Sequence, residues 1–201
     1  SADKEGLLQT HLNLAMSYNN MEDYANAKKW YEIVVASQKE MYGTENKSYR
    51  TSIGNLANVY KNLGLYEEAE NIMVDNIEYY KKIDSKSEAY EIALQNLAAL
   101  YQKWGLHYWA AMFYFRASDV RLIIAGENDT YFKSYINNAT YYFEEAAKQF
   151  KADGDFEYAE KCYNYNTIIF SERKNNKEYA RFLNLRGLME LELTKYSNAE
   201  I

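Results

Sequence analysis

The chain has 201 residues, of which 48% are hydrophobic, and a net charge of −6 with its Lys and Arg scattered. That balance lacks the basic stripe that phosphate neutralisation requires, which argues against nucleic acid as a partner. No apolar run approaches the roughly 20 residues that cross a bilayer, and a chain with no Pro and only 8 Gly favours helices throughout. The single Cys162 excludes an internal disulfide and fits a reducing compartment such as the cytoplasm.

Taken in order, the chain reads as helices in pairs. Leu7, Leu8, His11, Leu14, Ala15 and Tyr18 recur at three- and four-residue spacing and predict a first helix over 3–20. A polar break over 19–23 leads to a second helix over 24–41, with Tyr24, Ala27, Tyr31 and Val34 inward. Gly43 is read as its end, because glycine accepts positive φ. Ile53, Leu56, Ala57 and Tyr60 mark a helix over 47–63, Gly64 turns the chain, and 66–83 is the partner. Ser85-Lys86-Ser87-Glu88 is read as a capping box, with Ser85 and Glu88 serving the amides of the next helix start. That helix passes through Leu94, Leu97, Ala98 and Tyr101 to Gly105, and its partner over 107–125 is the most aromatic.

The interval between units is nearly constant. Asn13 and Asn55 are 42 residues apart, Asn55 and Asn96 are 41, and Asn96 and Asn138 are 42. The register slips in the fourth unit. Gly64 and Gly105 lie nine residues after their Asn, whereas Gly154 lies sixteen after Asn138. The seven extra residues amount to about two helical turns and nearly restore the phase. Because the apolar pattern runs unbroken from Phe132 to Phe150, the extension reads as a longer helix rather than a loop. Its partner is expected over 155–173. A fifth first helix is expected over 177–193, after a break at Asn175 and Asn176. Tyr196 and Ala199 are expected to open its partner, so that the native protein would continue beyond Ile201. Repeats are therefore placed at 3–43, 44–84, 85–126 and 127–174, with a partial one at 175–201, all in one solenoid.

These residues resemble the tetratricopeptide repeat. Small residues stand where two helices cross, at Ala15, Ala57, Ala98 and Gly187 in the first helices and at Ala27, Ala69, Ala110, Ala159 and Ala199 in the second. The period exceeds the usual repeat of about 34. Together with the Tyr42-Gly43-Thr44-Glu45-Asn46 and Gly126-Glu127-Asn128-Asp129 turns, it resembles the long-helix variant of kinesin light chains and bacterial repeat regulators. The departures are the missing Pro, Glu22 at a turn glycine, His107 at an aromatic position and Glu190 where Tyr is expected. The resemblance implies an all-α, right-handed superhelical solenoid of about four and a half antiparallel helix pairs.

It also implies that the first helices line a concave groove, with the residue two before each small residue pointing into it. Those residues are Asn13, Asn55, Asn96 and Asn138, with Asn58 and Asn62 beside Asn55. A carboxamide carries both donor and acceptor, so a ladder of Asn can pair with the amides of an extended peptide without demanding a sequence. The expected function is a protein- or peptide-binding scaffold. The alternatives are the regulatory arm of a larger multidomain protein, or self-association into a homo-oligomer through the last unit or the aromatic helix over 107–125. His11 and His107 are distant in sequence and no acidic or Cys cluster has metal spacing, so no metal, cofactor or catalytic residue is expected and the chain reads as a non-enzyme.

Overall fold

The computed structural model describes residues 2–172 and 176–199, and the side chains of 3–171 and 178–192. Within these residues the chain is all-α, with nine helices and no strand: α1 (Ala2–Asn20), α2 (Tyr24–Tyr42), α3 (Lys47–Leu63), α4 (Tyr66–Asp84), α5 (Glu88–Trp104), α6 (His107–Ala125), α7 (Thr130–Ala152), α8 (Phe156–Glu172) and α9 (Asn176–Ala199). The chain divides into two compact units, Ser1–Ser85 and Lys86–Ile201. Within each unit every helix packs on the next one in sequence.

Local chemistry accounts for the helix ends. Asp23, Asn46, Ser87 and Asp129 each cap a helix, accepting from the amides of Asn26, Ser48, Tyr90 and Phe132. The cap of α5 is thus Ser87 and not Ser85, a correction to the sequence reading. Ser85 still holds helical backbone at φ −70°, ψ −1° as the end of α4, whereas Ser87 has the extended backbone of a cap at φ −87°, ψ 155°. Inside each pair the turn is made by the backbone instead. Gly64 N–H donates to Lys61 O and Leu65 N–H to Tyr60 O, and the same two bonds recur at Gly105 and at Gly154.

The small residues at the crossings are Ala15, Ala27, Ala57, Ala69, Ala98, Ala110 and Ala159, and each has 0% exposure. A bulkier side chain at any of them would force the helices apart, an overpacking that costs about 1–3 kcal/mol. In unit 1 the core gathers Ala15, Ala27, Tyr31, Leu56 and Val59. In unit 2, α7 buries Phe132, Tyr135, Ile136, Ala139, Phe143 and Ala146 along the face its sequence predicts. At 23 residues against 17 for α3 and α5, it is the lengthened helix and contains no loop.

The fifth unit departs from expectation. Helix α9 runs without a break through 194–199, so no partner helix opens at Tyr196. The turn position, seven residues past the small residue as in Ala57 to Gly64, holds Thr194. A β-branched side chain strongly disfavours the left-handed backbone that this turn needs, and the helix continues. Gly187 is not a crossing point either, since a Cβ there would meet nothing within 4 Å. Among the described side chains of α9, Phe182 and Met189 are buried. Asn175 and the side chain of Ala199 lie outside the described residues.

Candidate binding groove

The predicted asparagines fall on first helices of both units. Asn13, Asn55, Asn58 and Asn62 belong to unit 1, and Asn96 and Asn138 to unit 2. Their chemistry is not uniform. Asn13 is exposed, and its Oδ1 accepts from Gln9 Nε2 at 2.9 Å. Asn55 is half-buried beside the hydroxyl of Tyr31, and its side chain partly offsets the upward push that burial exerts on that phenol. Asn58 Oδ1 accepts from Lys61 Nζ at 3.0 Å. Asn62, Asn96 and Asn138 are half-buried.

The Tyr31–Asn55 pair does not recur. Met73 stands at the matching place in α4 and has no hydroxyl. Tyr114 stands there in α6, but its hydroxyl donates to Gln102 Oε1 at 2.8 Å rather than turning to Asn138. Burial, with Tyr142 close by, pushes that phenol up to about 12, so it stays a neutral donor at any physiological pH.

In unit 1 the structure places Asn55 on the wall of a cleft of about 600 Å³ between α1, α2 and α3. Leu8, Leu12 and Met16 form one side, Thr51 and Asn55 the other, and Gln38 of α2 also lines it. Gln38 is 3% exposed, and its Oε1 has no hydrogen-bond partner among the described residues. Sequence reasoning missed Gln38, although the signal was there: it lies four residues after Val34 and seven after Tyr31, on the buried stripe of α2. Unit 2 has a cleft of about 610 Å³ between α6, α7 and α8, lined by Phe115, Asp119, Leu122, Glu127 and Phe132 among others, and neither Asn96 nor Asn138 borders it.

Two ionic clusters, each centred on a buried charged residue, were also missed. Arg50, 5% exposed, is held by Asp75, Glu45 and Asn76, with its guanidinium 4.2 Å from the ring centre of Tyr79. In unit 2, Glu91 accepts from Tyr135 Oη at 2.7 Å and from Arg121, which also grips Asp129 through two nitrogens. Arg50 and Glu91 each lie five residues before a ladder asparagine and directly follow a buried Tyr. That shared register marks both as inward-facing positions. With every charge paired inside its own unit, these clusters are stitches of the fold. Among the described residues no group of His, Cys, Asp or Glu could hold a metal ion, and no helix is long and apolar enough to cross a membrane.

The comparisons agree with this architecture. The tetratricopeptide repeat family model matches residues 6–82. Among solved structures, the chain is similar to BtubC (BKLC) from P. vanneervenii at 24% identity and a TM-score of 0.58, covering 86% of this chain and 66% of that one, just under two thirds of its length. It is also similar to a kinesin-light-chain-type protein of nearly identical TPR-like repeats from Podosopora anserina, at 19% identity and a TM-score of 0.56, covering 93% of this chain and 90% of that one. A single-substitution variant of that protein matches at 18% identity and a TM-score of 0.57, covering 96% and 92%. No curated protein matches the sequence. Residues 6–82 therefore match the tetratricopeptide repeat family, and the described residues as a whole form all-α helix pairs of the same kind.

Proposed function

We propose that the scaffold holds an extended peptide segment of a protein partner against its first helices, with the cleft between α1 and α3 as the anchoring site. The observation that carries this reading is the placement of Asn55 on the wall of that cleft, among mostly apolar and neutral polar side chains with Glu5 and Lys47 at its border. Asn13 engages its oxygen with Gln9 and keeps its N–H groups for a ligand carbonyl. Asn55, beside the Tyr31 hydroxyl, presents its carboxamide at the cleft wall for a ligand amide. Such pairing recognises backbone, so it favours a partner in extended conformation over one defined by charge. Asn58 and Asn62 extend the same kind of contact along α3 of unit 1, while Asn96 and Asn138 are the first-helix positions of unit 2. A net charge of −6 supports protein over nucleic acid as the partner.

Phage-displayed random peptides selected on the intact chain, then resynthesised and titrated by fluorescence polarisation, provide the test. Asn55→Ala is expected to weaken the selected peptides about tenfold, or about 1.4 kcal/mol, with native helicity retained at the assay temperature. Peptides that bind Asn55→Ala as tightly as the parent would refute the groove.

A further inference from the structure

Gln38 carries a buried polar atom that has no partner among the described residues. It sits eleven residues after the crossing Ala27, on the buried face of α2. The corresponding positions after Ala69, Ala110 and Ala159 hold Tyr80, Arg121 and Phe170. Arg121 is satisfied by Asp129 and Glu91, and Phe170 has no polar atom to satisfy. Of the four, Gln38 alone carries a buried acceptor without a hydrogen bond. Leaving a buried acceptor unpaired destabilises a protein, and an apolar side chain of the same length would fill the place without that cost. Gln38 also lines the cleft of unit 1, so a turn of its terminal amide would bring the unpaired oxygen to a ligand there.

The shape of the amide says what that ligand carries. A primary carboxamide has its N–H₂ and its carbonyl side by side, so two of them form a reciprocal pair of hydrogen bonds. A trans peptide group points its N–H and carbonyl in opposite directions and can make only one of the two. A charged group is not favoured, because Glu5 and Lys47 both border the cleft and offset one another. Leu8, Leu12 and Met16 supply an apolar wall for the methylenes of the incoming side chain.

We propose that the unit 1 cleft selects a partner segment bearing an Asn or Gln side chain, whose carboxamide docks on that of Gln38. This inference rests on the groove reading above and deepens it from backbone recognition to a side-chain preference. Gln38 is then the specificity-determining residue of the cleft.

The experiment selects random phage-displayed peptides on the parent chain and on Gln38→Met, which keeps length and flexibility but removes both hydrogen-bonding groups. Peptides from the parent are expected to share Asn or Gln at one fixed position, and replacing that residue by Leu in a synthetic peptide should weaken binding about tenfold or more. Peptides from Gln38→Met should prefer Leu or Met there, and that variant should melt about 2 °C higher, since it loses an unpaired buried acceptor. Parent-selected peptides with no shared carboxamide, or an unchanged preference in Gln38→Met, overturn the proposal. If Gln38→Met fails to fold, the Leu-substituted peptide on the parent chain decides. If Asn55→Ala abolishes binding while the carboxamide proves dispensable, the groove stands and this inference falls. If no peptide binds the parent chain, both fall.

Discussion

Glu22 is a single residue in a conformation that its side chain does not favour. It holds φ 59°, the only described non-glycine residue with positive φ. Its N–H donates to Asn19 O, and the next N–H, of Asp23, donates to Tyr18 O. These are the bonds made at Gly64, Gly105 and Gly154, whose φ values are 79°, 82° and 82°. The turn is thus imposed by the repeat, and Glu22 tolerates it. Glu22→Gly should stabilise the chain by about 1 kcal/mol and raise the melting temperature by about 2–4 °C, measured by circular dichroism. A lower melting temperature would mean that the Glu22 side chain makes up for its backbone. This residue was legible in the sequence, because a turn position nine residues past Asn13 is recognisable whatever occupies it. The partners of the asparagines were not legible. That Asn55 lies beside the Tyr31 hydroxyl, and that Tyr114 donates to Gln102 instead, depends on where a hydroxyl on the neighbouring helix points.

At the scale of the element, the α6–α7 junction shows how a cap and an ion pair act together. Asp129 accepts from Arg121 through both carboxylate oxygens and from the amide of Phe132 at the start of α7. The bonds from Arg121 are the largest influence holding its carboxyl down, to about 2, and the Phe132 amide adds to them. The unfolded chain titrates near the ordinary value of about 3.9. The folded state therefore binds the proton more weakly, and the stability contributed by Asp129 is fully present above about pH 4 and is lost as pH falls through about 2. Melting temperatures measured from pH 5 to about pH 2 should fall less steeply for Asp129→Asn than for the parent, from a lower start at neutral pH. Parallel slopes would show that this carboxylate is not the acid-sensitive group. The length of α7 could be foreseen, since an extension of about two turns preserves the apolar face. The cap at Ser87 was missed because Ser85 and Ser87 both satisfy a capping pattern, and only the end of α4 decides between them.

Across the molecule, the two compact units share helix-pair construction but bury different polar chemistry. Unit 2 also holds Cys162, with 0% exposure and a thiol pushed up to about 12 by burial. A neutral, enclosed thiol is a poor nucleophile. Labelling of the native chain by a thiol reagent near pH 8 should be far slower than that of the urea-unfolded chain, and labelling along a urea titration should report the opening of unit 2. Prompt reaction of the native chain would place the thiol in contact with solvent. Periodicity alone determined the all-α class, the pairing of helices, the crossing alanines and most of the turns. Each of these follows from spacings within about 20 residues, where local backbone preference and the choice of buried face agree. Tertiary structure alone decided that Arg50 and Glu91 sit buried at the centres of ionic clusters, that Tyr135 reaches Glu91 across 44 positions, that α9 does not turn, and that Gln38 Oε1 has no partner among the described residues. The physical reason is that repeat spacing settles which face of a helix is buried. Whether a polar atom on that face meets its complement depends on the one side chain that the opposite helix presents at hydrogen-bond distance.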